Sequence, residues 1–214
     1  MPSEQIAIQP NKRYTFIGKT RSGKSFLAWY LLRHFAKDKT RQIVFIDPKH
    51  ERRQFGDGTV LDFPKLVKRY EPKTHVQVFQ TFHWNAALDA MVDAVLKRGN
   101  TIVVLDELGG IADANSVPSG LTRLWTQGGG KGVGSWAMLQ RPKRTPQVIK
   151  TQTEMFFLFR INSREDRRDL LEYIPDNRVL EDRLPLHYFW LYSDDMESAI
   201  KCKPIQIPER LKPV

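Results

Sequence analysis

The stretch that most constrains this chain is Gly18-Lys19-Thr20-Arg21-Ser22-Gly23-Lys24-Ser25. It satisfies the spacing GxxxxGK[ST], which works where a strand enters a tight loop and a helix leaves it. The glycines let the backbone wrap so that N–H groups converge on an anion, and the dipole of the following helix reinforces them. Lys24 would then reach the β- and γ-phosphates of a nucleotide, and Ser25 would offer its hydroxyl to Mg²⁺. Gly18, Thr20, Arg21, Ser22 and Gly23 complete the expected cradle. At ~7% glycine usage, the pattern arises by chance in about one chain of this length in a hundred. The flanks agree with it: Tyr14-Thr15-Phe16-Ile17 reads as a buried strand, and Phe26 to Leu32 as a helix.

Short apolar runs alternate with stretches of helical period along the rest of the chain, the pattern of a mostly parallel sheet with helices on both faces. The expected strands are Tyr14 to Ile17, Ile43 to Ile46, His75 to Phe79, Thr101 to Leu105, Ser135 to Leu139, Glu154 to Phe159 and Tyr188 to Leu191. The clearest helices are Lys24 to Ala36, Asn85 to Arg98, Gly120 to Gln127 and Arg164 to Tyr173. The fold class is therefore α/β, a three-layer P-loop fold of the RecA/ASCE-like kind.

Two further runs carry chemistry. Thr101-Ile102-Val103-Val104-Leu105 is too β-branched to favour a helix and ends in Asp106-Glu107, as a Walker B strand does. At the carboxyl edge of a strand, Asp106 can hold a metal-bound water beside Ser25, and Glu107 can polarise an attacking water. Gly134 to Leu139 is a second buried run, ending on Gln140. In P-loop proteins with a strand between the loop strand and Walker B, this run takes that slot and Gln140 faces the γ-phosphate. An amide both donates and accepts, which suits a sensor of hydrolysis.

Composition sets outer limits. The 214 residues, 41% hydrophobic and 27% charged, suffice for one buried core, so residues 1–203 are expected to form a single domain and 204–214 an extended tail. No apolar run reaches the roughly 18 to 20 residues of a membrane span, and the first residues lack a signal-peptide order, so a soluble, non-secreted protein is expected. The lone Cys202 gives no internal disulfide and no structural zinc. A formal charge of +10 favours polyanionic partners, although the basic clusters are dispersed.

Four ordered elements resemble the FtsK–HerA superfamily of DNA-pumping ATPases, and within it the genome-packaging ATPases of viruses with internal membranes. They are Gly18 to Ser25; Phe45-Ile46-Asp47-Pro48-Lys49 with Glu51 behind; Leu105-Asp106-Glu107; and Gly132-Val133-Gly134 leading to Leu139-Gln140-Arg141-Pro142. The resemblance spans roughly residues 13 to 160. It implies ATP and Mg²⁺ as cofactors and double-stranded DNA as the moved polymer. It also implies a homo-oligomeric ring of six or five subunits, docking at a viral capsid vertex, and a place in the host cytoplasm or the virion. Such rings fire when a neighbour inserts a basic residue. Relatives tend to carry an arginine before the glycine-led strand, where this chain has Gly128-Gly129-Gly130-Lys131. Lys131 is one candidate, lacking the guanidinium fork; Arg123, Arg141 and Arg160 are the others. Lys49, Arg52, Arg53, Lys143 and Arg144 are candidate DNA contacts. The competing readings are a related phage-assembly or conjugation motor, and a nucleotide-gated scaffold with little turnover.

Overall fold

Runs with no exposed side chain become the strands. Every residue of Gln42–Ile46, Thr101–Leu105, Val133–Leu139 and Met155–Phe159 is buried, which requires cover on both faces. The computed structural model describes residues 7–48, 60–62, 76–80, 84–181 and 184–206. Its strands are β1 (Arg13–Ile17), β2 (Gln42–Ile46), β3 (Val60–Asp62), β4 (Val76–Gln80), β5 (Thr101–Leu105), β6 (Val133–Leu139), β7 (Met155–Phe159), β8 (Phe189–Ser193) and β9 (Ile200–Cys202). They form one sheet in the order β3-β4-β2-β5-β6-β1-β7-β8-β9. Every pairing from β3 to β7 is parallel, and β8 and β9 add on by antiparallel pairing. The expected slot for the run ending at Gln140 is realised: β6 lies between β5 and β1.

The helices are α1 (Lys24–Phe35), α2 (Trp84–Arg98), α3 (Ser119–Gln127), α4 (Gln147–Gln152), α5 (Arg164–Leu170) and α6 (Arg178–Glu181). The sheet sorts its side chains with period two. Ile102 and Val104 of β5 face α1, whose Leu27, Ala28 and Leu32 pack with Tyr14, Phe16, Trp136 and Phe157. Val103 and Leu105 face the other way, onto Leu88, Met91, Val92 and Val95 of α2 and Leu121, Leu124 and Trp125 of α3. The result is the expected three-layer α/β arrangement. Among the described residues, no helix is long and apolar enough to cross a membrane.

Differences from the sequence reading have local causes. Strands β3 and β9 are only three residues long, and α4 and α6 only six and four, too short for periodicity to register. Helix α5 stops at Leu170 rather than Tyr173, because Leu171 already bonds back to Arg168 and Pro175 disfavours helical backbone at Ile174. The expected tail begins on its own chain, with Ile205 packed against the α1-side core. Residues 207–214, Lys49, Glu51, Arg52, Arg53 and His75 lie outside the described residues.

Candidate active site

The carboxyl ends of β1, β2, β5 and β6 meet at one edge of the sheet, where ligands of open α/β folds bind. The loop after β1 is tied to both neighbours. Gly18 N–H donates to the Leu139 carbonyl at 3.1 Å, and Lys19 N–H donates to the Arg160 carbonyl at 3.1 Å. Glycine is required here on two counts. A Cβ on Gly18 would lie 2.6 Å from the Phe159 Cβ, and Gly23 adopts φ 108°, which L side chains avoid. Arg21 is also left-handed, at φ 61°, at the exposed crown of the loop.

The loop is built to surround an anion. Lys24 is buried, and its Nζ donates to the carbonyls of Gly18 at 2.7 Å and Lys19 at 3.0 Å, so the ammonium is held over the loop's mouth. The Ser22 hydroxyl is buried and has no hydrogen-bond partner among the described residues. Ser25 donates its hydroxyl to Asp106 Oδ1 at 3.4 Å, which brings a helix-start oxygen beside a strand-end carboxylate. Hard oxygen donors of this kind suit Mg²⁺ retained with several waters. The residues present therefore fit both a polyphosphate and its magnesium ion.

Glu107 and Gln140 complete the edge. The Gln140 amide Nε2 donates to Glu107 Oε2, and its Oε1 accepts from the Thr20 hydroxyl at 2.9 Å. A carboxylate only accepts and a hydroxyl can donate, so the amide bridges the two without conflict. One continuous chain thus runs from the phosphate loop through the end of β6 to the acid after β5. Glu107 holds φ 75°, a conformation costing a non-glycine residue ~1–3 kcal/mol and concentrated at functional sites.

The stretch after Gln140 is anchored by α5. Arg141 Nε donates to the buried Asp166 at 2.7 Å, Lys143 Nζ pairs with Glu165 at 2.9 Å, and the buried Lys150 pairs with Asp169 at 2.9 Å. A cavity of about 860 Å³ opens beside this stretch and is lined by Glu107, Gln140, Arg141 and Arg144. The four basic residues singled out from sequence fall in different places. Arg123 is bound to Asp89 and Asp93 of α2. Arg141 is held by Asp166 beside its own site, and Arg160 follows β7 and bonds the loop through its carbonyl. Lys131 is exposed at the amino end of β6, the opposite end from Gln140.

One contact carried no sequence signal. His187, in a turn at φ 66°, places Nδ1 3.2 Å from the Ser22 carbonyl, bracing the loop from the β8 side.

No protein-family model matches the chain, and no curated protein matches it. Solved structures do. The genome packaging NTPase B204 of Sulfolobus turreted icosahedral virus 2, in complex with ATP-gammaS, superposes with a TM-score of 0.78 at 18% identity, covering 93% of this chain and 100% of that one. This chain has the B204 fold. B204 of Sulfolobus turreted icosahedral virus, a DNA-packaging ATPase, matches with a TM-score of 0.72 at 18% identity over 93% of this chain and 100% of that one. VirB4 of Thermoanaerobacter pseudethanolicus matches with a TM-score of 0.64 at 11% identity over 94% and 91%. The superfamily resemblance read from four short motifs is thus matched by fold over nearly the whole chain.

Proposed function

We propose that the chain is an ATP-hydrolysing motor that translocates double-stranded DNA, packaging a viral genome. The observation that carries the reading is the Thr20–Gln140–Glu107 chain lying beside the Ser25–Asp106 pair. A binding protein needs the loop but has no use for a second acid joined to it through an amide. DNA packaging driven by ATP is supported by the fold shared with two proteins described as packaging enzymes, and a homo-oligomeric ring docked at a capsid vertex is what the motif resemblance implies.

Each residue then has a task. The loop N–H groups, Lys24 and the Ser22 hydroxyl bind and orient the triphosphate. Ser25, and Asp106 through a bound water, would hold Mg²⁺, which would supply positive charge to offset that developing on the transferred phosphoryl group. Glu107 accepts the proton of the attacking water. Gln140 holds Glu107 in place and reports to Thr20 whether the carboxylate is engaged. Of the four basic residues, Lys131 best fits a role on the neighbouring subunit's site. A seven-residue strand at about 3.3 Å per residue puts it roughly 25 Å from Gln140, out of reach of its own nucleotide. Arg123 is occupied by two aspartates.

The test is phosphate release by the parent chain and by Glu107→Gln. The parent should turn over ATP and the variant should bind ATP but lose about 10²–10⁴-fold in rate, as expected for removing a general base. Equal turnover in the two proteins would refute Glu107's role. Absence of turnover in a ring-forming parent would favour the scaffold reading.

A further inference from the structure

The end of β7 borders a cavity of about 240 Å³ on the face of the sheet turned away from α1. Its walls include Leu158 and Arg160 at the end of β7, Asn162 just after it, Arg167 of α5, Leu184, and Trp190 of β8. Leu158, Leu184 and Trp190 belong to the core that packs on α2 and α3, not to the cluster beneath α1. No residue given a task in ATP hydrolysis lies in these walls. We propose that this cavity is a second anion site, which takes a free dianionic oxyanion of phosphate size on Arg160 and Arg167.

Three observations carry it. The first is uncompensated charge. The walls hold two guanidinium groups and no carboxylate. Neither group is ion-paired among the described residues, whereas Arg13, Arg41, Arg123, Arg141 and Arg178 each meet an acid. The Arg160 side chain makes no hydrogen bond there, and Arg167 reaches only the Ile161 carbonyl through Nη1, at 3.4 Å. Both residues are partly buried, and a guanidinium cannot shed its charge to suit its surroundings.

The second observation is a pair of orphan donors. Arg167 Nε and Trp190 Nε1 are buried with no hydrogen-bond partner among the described residues. An unpaired buried donor costs about 1–3 kcal/mol, and an ion or a water is the usual resolution. Trp190 is held in place, since the Arg178 guanidinium lies 5.3 Å from its ring centroid. Trp125 and Trp136 also leave their indole N–H unpaired, but neither borders this cavity.

The third is the match of ligand to donors. A phosphate carries about −1.5 to −2 charges at neutral pH, which two guanidinium groups balance, and its oxygens suit their planar forks. A monocarboxylate would leave one arginine uncompensated. The orphan donors are buried, so the ligand is an ion that enters whole rather than a phosphate fixed in a polymer backbone. Arg160 also joins this cavity to the phosphate loop, because its carbonyl accepts the Lys19 N–H at 3.1 Å.

Isothermal titration of the whole chain with inorganic phosphate tests the site, with the phosphate loop first filled by a magnesium-bound, non-hydrolysable ATP analogue. The loop-filled parent should take up one phosphate per chain. Arg160→Gln and Arg167→Gln should each weaken that uptake by about tenfold or more, the worth of a hydrogen bond to a charged group. Trp190→Phe keeps an aromatic ring, removes the N–H and should weaken it by about tenfold. Acetate should bind the parent at least about tenfold more weakly than phosphate. No uptake by the loop-filled parent, or uptake unchanged in both arginine variants, would overturn the proposal, and equal affinity for acetate would overturn the dianion assignment. Should Arg167→Gln or Trp190→Phe fail to fold, Arg160→Gln decides alone, because its side chain has no hydrogen bond to lose among the described residues.

Discussion

Glu107 and Gln140 show why residue chemistry here is a matter of pairs. The acid is held at φ 75° and its carboxylate is met by the amide, so neither side chain has independent freedom. Gln140→Ala should therefore act through Glu107. It leaves nucleotide binding intact but lowers turnover by at least about tenfold, and a kcat loss without a KM change in steady-state assays is the signature. Lys24→Ala should act earlier. It removes the buried ammonium bonded to Gly18 and Lys19, and equilibrium titration should find ATP affinity lost. Retained ATP affinity and turnover in that variant would refute the site.

Two elements far from the phosphate loop control its surroundings. Asp176, just before α6, bonds Arg178 Nη2 at 2.6 Å and accepts the Ala199 N–H at 2.9 Å, while Arg178 donates to the Ala199 carbonyl at 2.9 Å. Ala199 leads into β9, so this pair pins the strand that carries Pro204 and Ile205. The Arg178 guanidinium, with the Ala199 amide, holds the Asp176 carboxyl down to about 2 against its burial. A depressed pKa stabilises the fold fully above about pH 4, and the contribution is lost as the pH falls through 2. Arg178 is half exposed, which limits it to about 1–2 kcal/mol. Asp176→Asn should flatten the acid limb of a pH–stability curve over that interval, measured by thermal unfolding. Asp166 plays a similar part for the stretch after Gln140: it is 1% exposed and receives Arg141. Asp166→Ala removes the acceptor of Arg141 Nε and of the Lys143 N–H and should cost about 1–2 kcal/mol in urea unfolding, since the half-exposed Arg141 stays solvated, with a loss of turnover because the stretch after Gln140 is released.

Across the whole molecule, the parallel sheet and half of the site could be read from sequence because their signals are local. Ile102–Leu105 and Ile43–Ile46 are continuous apolar runs, and Gly18 to Ser25, Asp106, Glu107 and Gln140 each stand at or just past the end of such a run. His187, Arg167 and Trp190 could not be read in the same way. Only the return of β8 to the sheet beside β7 brings the first against the loop and the other two to one cavity. The anchoring role of α5 was hidden for the same reason. Arg164 to Arg168 looks like a solvated basic cluster, yet the interspersed Glu165, Asp166 and Asp169 pair with residues 141–150.

A net charge of +10 favours a polyanionic partner, as the proposed motor reading requires. Sequence-independent grip on a duplex comes from phosphate contacts and weakens steeply with salt. The decisive measurement is ATP turnover by the whole chain as duplex DNA is added at low and at raised ionic strength. The motor reading predicts stimulation by DNA of any sequence, reduced at raised salt and absent in Glu107→Gln. Vigorous ATP turnover that is indifferent to duplex DNA at every ionic strength would contradict it.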